Sequence, residues 1–253
     1  MKALNTIGLM MAITVCIASC KKNVPTDKTH VVYKRISKME ELYSDGTTET
    51  RTFTYDAQGR PATIMSNTKK DVFSFQSPTL LLVSEYDLPD NIFSRTYECT
   101  LNEGGAISQM LFKNSAGVVT HTYTYTYDNE GYMTKFMTTN GTSSFEDVPT
   151  INNGNYVSSN STFSSGIKYS KQYLYNTVVN TIPGGFYAYW PVATLFGNPS
   201  KNLSVEYKWL ETNGSLYWHA KNSYTMSADG SVAKSVTEDI IHGDKSVITF
   251  TYE

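Results

Sequence analysis

The chain has 253 residues, with 21 Lys or Arg against 23 Asp or Glu, so its formal net charge is -2 at pH 7. This near-neutral balance argues against a basic nucleic-acid interface, and no nucleic-acid partner is expected. Aromatic residues make up 13% and charged residues only 17%, which excludes a solvated disordered chain. The length predicts a single domain.

The N-terminal segment has the layout of a secretory signal. A charged start is followed by an apolar run over residues 7–17 and by small residues immediately before Cys20. The apolar run is shorter than the roughly 20 residues that a membrane-spanning helix needs. We therefore expect residues 1–19 to be a signal peptide that is removed.

The sequence IASC at residues 17–20 resembles the lipobox of bacterial lipoproteins, in which an aliphatic and two small residues precede an acylated Cys. The resemblance implies that Cys20 carries lipid and tethers the folded part to a membrane. An ordinary signal peptide with a chance Cys is the alternative. Cys16 leaves with the signal, and Cys99, in a strand-like run, is expected to be a buried thiol.

Residues 20–30 contain the lipidated Cys and a polar, Pro-containing stretch, which predicts a flexible spacer before one domain at 31–253. In lipoproteins of Bacteroidetes, an acidic cluster after the Cys is associated with export to the cell surface. Lys21 and Lys22 depart from that pattern. The resemblance therefore implies an outer-membrane lipoprotein, with the periplasmic face favoured and the cell surface left open.

Beyond the spacer, apolar and polar residues alternate with a period of two. The clearest run is HTYTYTY at residues 121–127, and similar alternation occurs at residues 53–55, 207–209 and 248–252. Successive side chains of a strand point to opposite faces, so one face is predicted to be buried and the other solvated. Since no helical period is sustained after the signal, the mature chain is predicted to be almost all β.

A recurring turn pattern separates these runs. A large apolar residue precedes a Gly by four positions, with Asp or Asn between them. Asp or Asn favours a type I turn, and the Gly takes the positive φ that closes the hairpin. The six turn glycines are Gly46, Gly59, Gly105, Gly131, Gly214 and Gly230. The sequence thus predicts an all-β, antiparallel β-meander of repeated hairpins, strongly curved or closed into a barrel-like sheet.

The turn YTYDNEG at residues 125–131 resembles the YD repeat of large bacterial envelope and toxin-shell proteins, although the copies are few and irregularly spaced. A closer resemblance is to a family of Bacteroidetes lipoproteins of unknown function with a porin-like β fold. Its members combine such turns with a segment like FGNPSKNL at residues 196–203. The resemblance implies a fold and a location, and no activity. Because one face of residues 123–127 carries Thr, a wet outer surface fits better than a membrane-spanning porin.

An aromatic cluster lies between two prolines at residues 182–191. Aromatic rings can stack on sugar faces, and Tyr and Trp add a polar group for the hydroxyls. The candidate ligand-binding residues are Tyr187, Tyr189, Trp190, Trp209 and Trp218. The alternative, which the high aromatic content favours, is a hydrophobic plug that seals the sheet.

Motifs for catalysis are absent from the sequence. It contains no G-x-S-x-G turn, C-x-x-C pair, phosphate-binding loop or zinc-ligand spacing around its four His. We therefore assign no catalytic residue and expect no cofactor and no metal. Paired carboxylates of a glycoside-acting enzyme remain a remote alternative, because their separation is spatial. The leading hypothesis is a non-catalytic, lipid-anchored envelope protein with a binding or scaffolding role. Its candidate partner is a glycan or an envelope protein, and carbohydrate binding by the aromatic cluster is the alternative function.

Overall fold

The computed structural model describes residues 33–183, 190–192 and 195–253. The predicted signal peptide, Cys20 and the whole predicted spacer lie outside the described residues. No helix in the described part of the chain is long and apolar enough to span a bilayer.

The described residues form sixteen antiparallel strands. They are β1 Ile36–Leu42, β2 Thr48–Tyr55, β3 Pro61–Met65, β4 Lys69–Ser77, β5 Leu80–Asp87, β6 Ile92–Leu101, β7 Ile107–Asn114, β8 Val119–Tyr127, β9 Met133–Asn140, β10 Ser143–Asn152, β11 Asn155–Phe163, β12 Lys168–Val179, β13 Asn202–Glu211, β14 Leu216–Met226, β15 Val232–Asp239 and β16 Lys245–Tyr252. Each strand pairs with its chain neighbours, and β1 also pairs with β16. The predicted meander of hairpins is confirmed, and the sheet closes into a barrel.

Successive strands alternate in direction, so their connections alternate between the two ends of the barrel. We call the end at which β1 begins and β16 finishes the proximal end; it holds the β2–β3, β4–β5, β6–β7, β8–β9, β10–β11, β12–β13 and β14–β15 connections. The opposite, distal end holds the β1–β2, β3–β4, β5–β6, β7–β8, β9–β10, β11–β12, β13–β14 and β15–β16 connections.

The hairpin turns follow the predicted chemistry. All six turn glycines named from the sequence have a positive φ, between 76° and 86°. At the β2–β3 turn the Asp56 carboxylate accepts hydrogen bonds from the backbone N–H groups of Gln58 and Arg60, each at 2.9 Å. The Gly59 N–H closes the turn on the Asp56 carbonyl at 2.9 Å. The Asp therefore satisfies the turn's donors, and the Gly supplies the backbone angle.

Buried side chains alternate with solvated ones along the strands. On β6, Tyr97 and Cys99 are fully buried while Thr96, Glu98 and Thr100 are half-buried or exposed. Burial raises the pKa of the Cys99 thiol to about 12. Cys99 is thus a small apolar core residue, as its position in the strand predicted.

A barrel of sixteen strands encloses more space than its inward side chains can fill. The described residues of the β12–β13 connection, 180–183, 190–192 and 195–201, are here called the crossing segment, and they enter that space. Its buried residues Trp190 and Phe196 pack edge-on or tilted against rings of the wall, with Trp190 centroids 5.1 Å from Phe73 and 5.2 Å from Tyr97. Phe196 lies 5.6 Å from Tyr125. The described part of the segment therefore fills the interior on the side of β4, β6 and β8.

Backbone hydrogen bonds fix the crossing segment against two proximal elements. The Ile107 N–H donates to the Leu195 carbonyl at 2.8 Å, and the Asn198 N–H donates to the Gly131 carbonyl at 2.8 Å. Gly197 lies between these contacts with φ of 74°. The segment is thus held at the end of β8 as well as by its rings.

Candidate ligand-binding cavity

A cavity of about 320 Å³ lies between β11–β14 and the crossing segment. We call it the tyrosine cavity, because five tyrosine rings line it. Its lining residues are Tyr156, Tyr173, Tyr175, Asn180, Ile182, Pro199, Ser200, Asn202, Leu203, Ser204, Tyr207, Asn222 and Tyr224. Its volume falls at the lower end of the range of about 300 to 1,000 Å³ that is usual for small-molecule sites.

The period-two pattern of the strands positions the rings. Tyr173 and Tyr175 are two residues apart on β12 and therefore share a face. Tyr173 is paired with Tyr207 of β13, and their rings stack with centroids 6.2 Å apart and planes 20° apart. Tyr224 reaches the same cavity from β14. Three adjacent strands thus form one wall of aromatic rings.

Most of the tyrosine hydroxyls are fixed by backbone carbonyls. The Tyr175 hydroxyl donates to the Tyr156 carbonyl at 2.7 Å, and the Tyr224 hydroxyl donates to the Ser204 carbonyl at 2.7 Å. These bonds orient the rings around the cavity.

Tyr207 differs from these tyrosines, because its hydroxyl makes no hydrogen bond to any described residue. Burial raises its pKa above the ordinary value, so the hydroxyl stays protonated at neutral pH. It is therefore a neutral donor and acceptor that a ligand could engage.

Three asparagine amides add polar groups to the lining. The Asn222 amide nitrogen donates to the Ser204 carbonyl at 3.1 Å, and the Asn180 amide nitrogen donates to the Ser200 carbonyl at 3.1 Å. Each amide nitrogen carries two N–H groups, so one such bond uses half of its donor capacity. Among the described lining residues, none is ionisable except tyrosine. The cavity thus suits a neutral polar ligand, and it lacks the carboxylate pair that glycoside hydrolysis needs.

The structure separates the aromatic residues that the sequence selected. Trp190 is 2% exposed and donates from its indole to the Asp71 carboxylate at 2.9 Å. Trp209 and Trp218 lie together elsewhere, with centroids 5.4 Å apart. The Trp218 indole donates to Asp239 at 2.6 Å. The described residues therefore do not form one aromatic platform.

The other two selected aromatics, Tyr187 and Tyr189, lie outside the described residues. Ligand binding by any of the five selected residues stays a prediction.

Trp209 does line a second, smaller cavity of about 210 Å³, with Phe145, Phe163, Tyr169 and Tyr217. Lys171 also lines it, 4% exposed, with its ammonium 4.8 Å from the Trp209 ring and 3.6 Å from the fully buried Asp147 carboxylate. Burial lowers the pKa of Lys171. The ammonium is thus engaged by a carboxylate and a ring.

A third cavity, of about 230 Å³, contains charged groups that pair with one another. The Glu85 carboxylate binds Lys69, Arg95 and the Tyr97 hydroxyl. Its cross-strand partner Asp71 has a pKa raised to about 6, chiefly by burial. Because Glu85 is committed to three partners, the carboxylate pair is a structural charge network. Within the described residues, no cluster of His, Cys, Asp and Glu is placed to hold a metal ion.

Sequence reasoning missed the tyrosine cavity as a site. Alternating tyrosines such as those of β12 and β13 predict strands with a buried face, and they do not by themselves indicate a cavity. A signal in the sequence is the amide of Asn222, two residues from Tyr224 and on the same face of β14 as the apolar Ala220. A polar residue on a core face indicates either an internal hydrogen bond or a ligand, and Asn222 makes internal bonds on both sides of its amide.

The fold and cavity define a closed, up-and-down β-barrel with a partly filled interior. No family model matches the chain, and no curated protein matches it. The chain is similar to the crystal structure of a porin-like protein from Bacteroides uniformis, with a TM-score of 0.65 and 15% identity over 88% of this chain and 99% of that chain. It is also similar to a porin-like protein from Bacteroides vulgatus, with a TM-score of 0.62 and 9% identity over 87% and 99% of the two chains. At these identities the likeness establishes the barrel fold.

Proposed function

We propose that this chain is a non-catalytic, lipid-anchored envelope protein that binds a small neutral carbohydrate in the tyrosine cavity. The observation that carries the proposal is the lining itself, in which tyrosine rings, asparagine amides and serine hydroxyls meet without an ionised group. Flat rings pack against the apolar faces of sugars, and amides and hydroxyls bond their hydroxyl groups. An uncharged lining also leaves no paired acid and base for hydrolysis at this cavity.

The lipid anchor is the second part of the proposal. It rests on the IASC sequence at residues 17–20 and on the polar spacer that follows it. The outer membrane is the proposed location, with its periplasmic face favoured over the cell surface because Lys21 and Lys22 replace an acidic cluster. Loss of palmitate labelling in a Cys20→Ser variant is the expected result, and labelling that persists would refute the anchor without bearing on the cavity.

Calorimetric titration with neutral mono- and oligosaccharides tests the cavity, using the chain from residue 21, which retains every strand. We expect saturable heat with at least one saccharide. Tyr207→Phe removes a hydroxyl that makes no bond to a described residue, so it should leave folding intact and weaken binding about 2- to 12-fold, the range for one hydrogen bond. Tyr252→Phe is the matched control, because that hydroxyl donates to the Val232 carbonyl at 2.9 Å and does not line the cavity.

Two results would overturn the assignment. One is the absence of heat with every saccharide tested. The other is an equal effect of Tyr207→Phe and Tyr252→Phe on a saccharide that does bind. If Trp209→Ala abolishes binding while Tyr207→Phe leaves it unchanged, the ligand occupies the smaller cavity and the tyrosine cavity is the wrong site.

A further inference from the structure

The exposed large apolar side chains of the barrel are concentrated at one end. Of the seventeen in the described part of the chain, thirteen lie at or beside distal connections. We call these thirteen the apolar crown. They are Leu42, Tyr43, Met65, Ile92, Phe93, Val118, Val119, Phe163, Ile167, Leu216, Tyr217, Ile240 and Ile241. Seven of the eight distal hairpins contribute at least one of them.

The proximal end has a different surface. Within the described residues, no proximal connection carries an exposed large apolar side chain. Of the remaining four exposed apolar residues, Val148 lies within β10 and Leu174 within β12, and Val178 and Val179 end β12 beside the proximal β12–β13 connection. Isolated apolar residues on a protein surface are ordinary, but their repetition around one end of a barrel marks an interaction surface.

Much of the crown is exposed to water in the isolated barrel. Ile92 is 61% exposed, Val118 58% and Ile167 52%, so most of each side chain remains in water in the isolated barrel. Polar residues cap turns at both ends, as at Asp128 of a proximal turn and Asp45 of a distal one. The apolar residues of the crown are additional to this turn chemistry, and their exposed surface is available to a partner.

We propose that the apolar crown rests on the surface of a lipid bilayer, so that the barrel lies with its distal end against the membrane. The turns at one end of a closed barrel form a ring, and apolar side chains repeated around that ring match a flat partner. Aliphatic and aromatic side chains of this kind insert shallowly at the boundary between headgroups and acyl chains. Two lysines near this end pair within the protein, Lys245 with Glu238 at 2.9 Å and Lys69 with Asp87 at 3.3 Å, which fits a neutral lipid surface.

The length of chain before the barrel permits this orientation. β1 begins at the proximal end, and fifteen residues lie between Cys20 and Ile36. At about 3.3 to 3.6 Å per residue, they can extend roughly 55 Å. A strand of ten residues such as β6 is about 33 Å long, and strand tilt makes the barrel shorter than that. This step alone rests on the proposed lipid anchor. In that form, the chain between Cys20 and β1 is long enough for Cys20 to reach the membrane beside the distal end.

Vesicle binding by the unacylated chain from residue 21 tests the crown independently of the anchor. The probe is flotation with large phosphatidylcholine vesicles. We expect the chain to float with the vesicles, and the triple variant Leu216→Ser, Ile240→Ser, Ile241→Ser to bind at least tenfold more weakly. The matched control is Leu174→Ser, Val178→Ser, Val179→Ser on β12, away from the distal end, which removes the same kind of exposed side chain and should leave binding unchanged. Circular dichroism of both variants verifies that the barrel is intact.

Three results would overturn the proposal. The first is an unacylated chain that stays with the aqueous fraction at every lipid concentration. The second is an equal loss of binding in the crown variant and the β12 control variant. The third is a concentration-dependent dimer, measured by light scattering, that the crown variant abolishes while vesicles have no effect; a second copy would then cover the crown. Failure of palmitate labelling or of saccharide binding would refute the proposed function and leave the vesicle result standing.

Discussion

Gly197 provides a direct test of how the crossing segment is held. A Cβ added there would lie 2.5 Å from the Gly131 carbonyl oxygen and 2.6 Å from Cε1 of the Tyr127 ring. Its φ of 74° also disfavours any residue with a side chain. The left-handed conformation costs Ala roughly 1 to 2 kcal/mol, and forcing a methyl group into packed surroundings costs about 1 to 3 kcal/mol more. Gly197→Ala is therefore expected to lower the free energy of unfolding by about 2 to 5 kcal/mol.

Gly214→Ala separates the two contributions. Gly214 has φ of 83°, but no atom lies within 4 Å of a Cβ added there. This substitution should cost only the backbone term of roughly 1 to 2 kcal/mol. Urea unfolding followed by circular dichroism measures both variants. If Gly197→Ala costs no more than Gly214→Ala, the crossing segment is not packed against β8 as described, and the account of the filled interior is wrong.

Three further predictions concern titratable groups. Burial raises the pKa of Asp71 to about 6, so the folded state favours its protonated form, and the stability gained below pH 4 is lost as the pH rises towards 6. In Asp71→Asn the amide oxygen can still accept the hydrogen bond from Trp190. This substitution should raise the free energy of unfolding at pH 7 by at most about 3 kcal/mol and change it little at pH 3.5. Urea unfolding at both pH values measures the difference. Burial raises the pKa of Tyr175 and Tyr224 to about 12, so the unfolded chain ionises first and stability should fall as the pH rises from 10 to 12, with tyrosinate absorbance appearing alongside unfolding. Cys99, with its pKa raised to about 12 by burial, should react with a thiol reagent at pH 8 only after denaturation; rapid reaction of the folded chain would contradict its core position.

The strands and many turns were predictable because their signals are local. The alternation at residues 121–127 became β8, and the Asp–Gly spacing at residues 56–59 became a closed hairpin turn. Other turns carried weaker signals. Gly117 and Gly166 also have positive φ, but Lys113 stands four residues before the first and an apolar residue lies only three before the second. The pattern of an apolar residue four positions before a Gly therefore underestimated the number of hairpins.

Barrel closure and the tyrosine cavity depend on long-range pairing that no local pattern specifies. Closure requires β1 to meet β16, more than 200 residues later in the chain, and the alternation of each strand is the same in an open or a closed sheet. The cavity depends on where the described residues of the crossing segment lie in the interior. The aromatic residues between Pro183 and Pro191 indicated either a plug or a ligand platform. Both uses place aromatic rings against an apolar surface, so the sequence could not decide between them.

The unequal filling of the barrel explains why a cavity occurs beside β12–β14. The crossing segment delivers Trp190 and Phe196 to rings on β4, β6 and β8, and small side chains stand opposite on the other side of the barrel. Ser200 and Ser204, at the end of the segment and the start of β13, leave space between the tyrosine rings. A larger apolar residue at position 200 would bury more surface, but it would remove the hydroxyl that bonds to the Tyr175 hydroxyl at 2.8 Å. At position 204 the backbone carbonyl accepts from the Tyr224 hydroxyl, and the small side chain leaves room beside that ring. The space therefore persists because small residues leave it open at the same points where their polar groups orient the rings that line it.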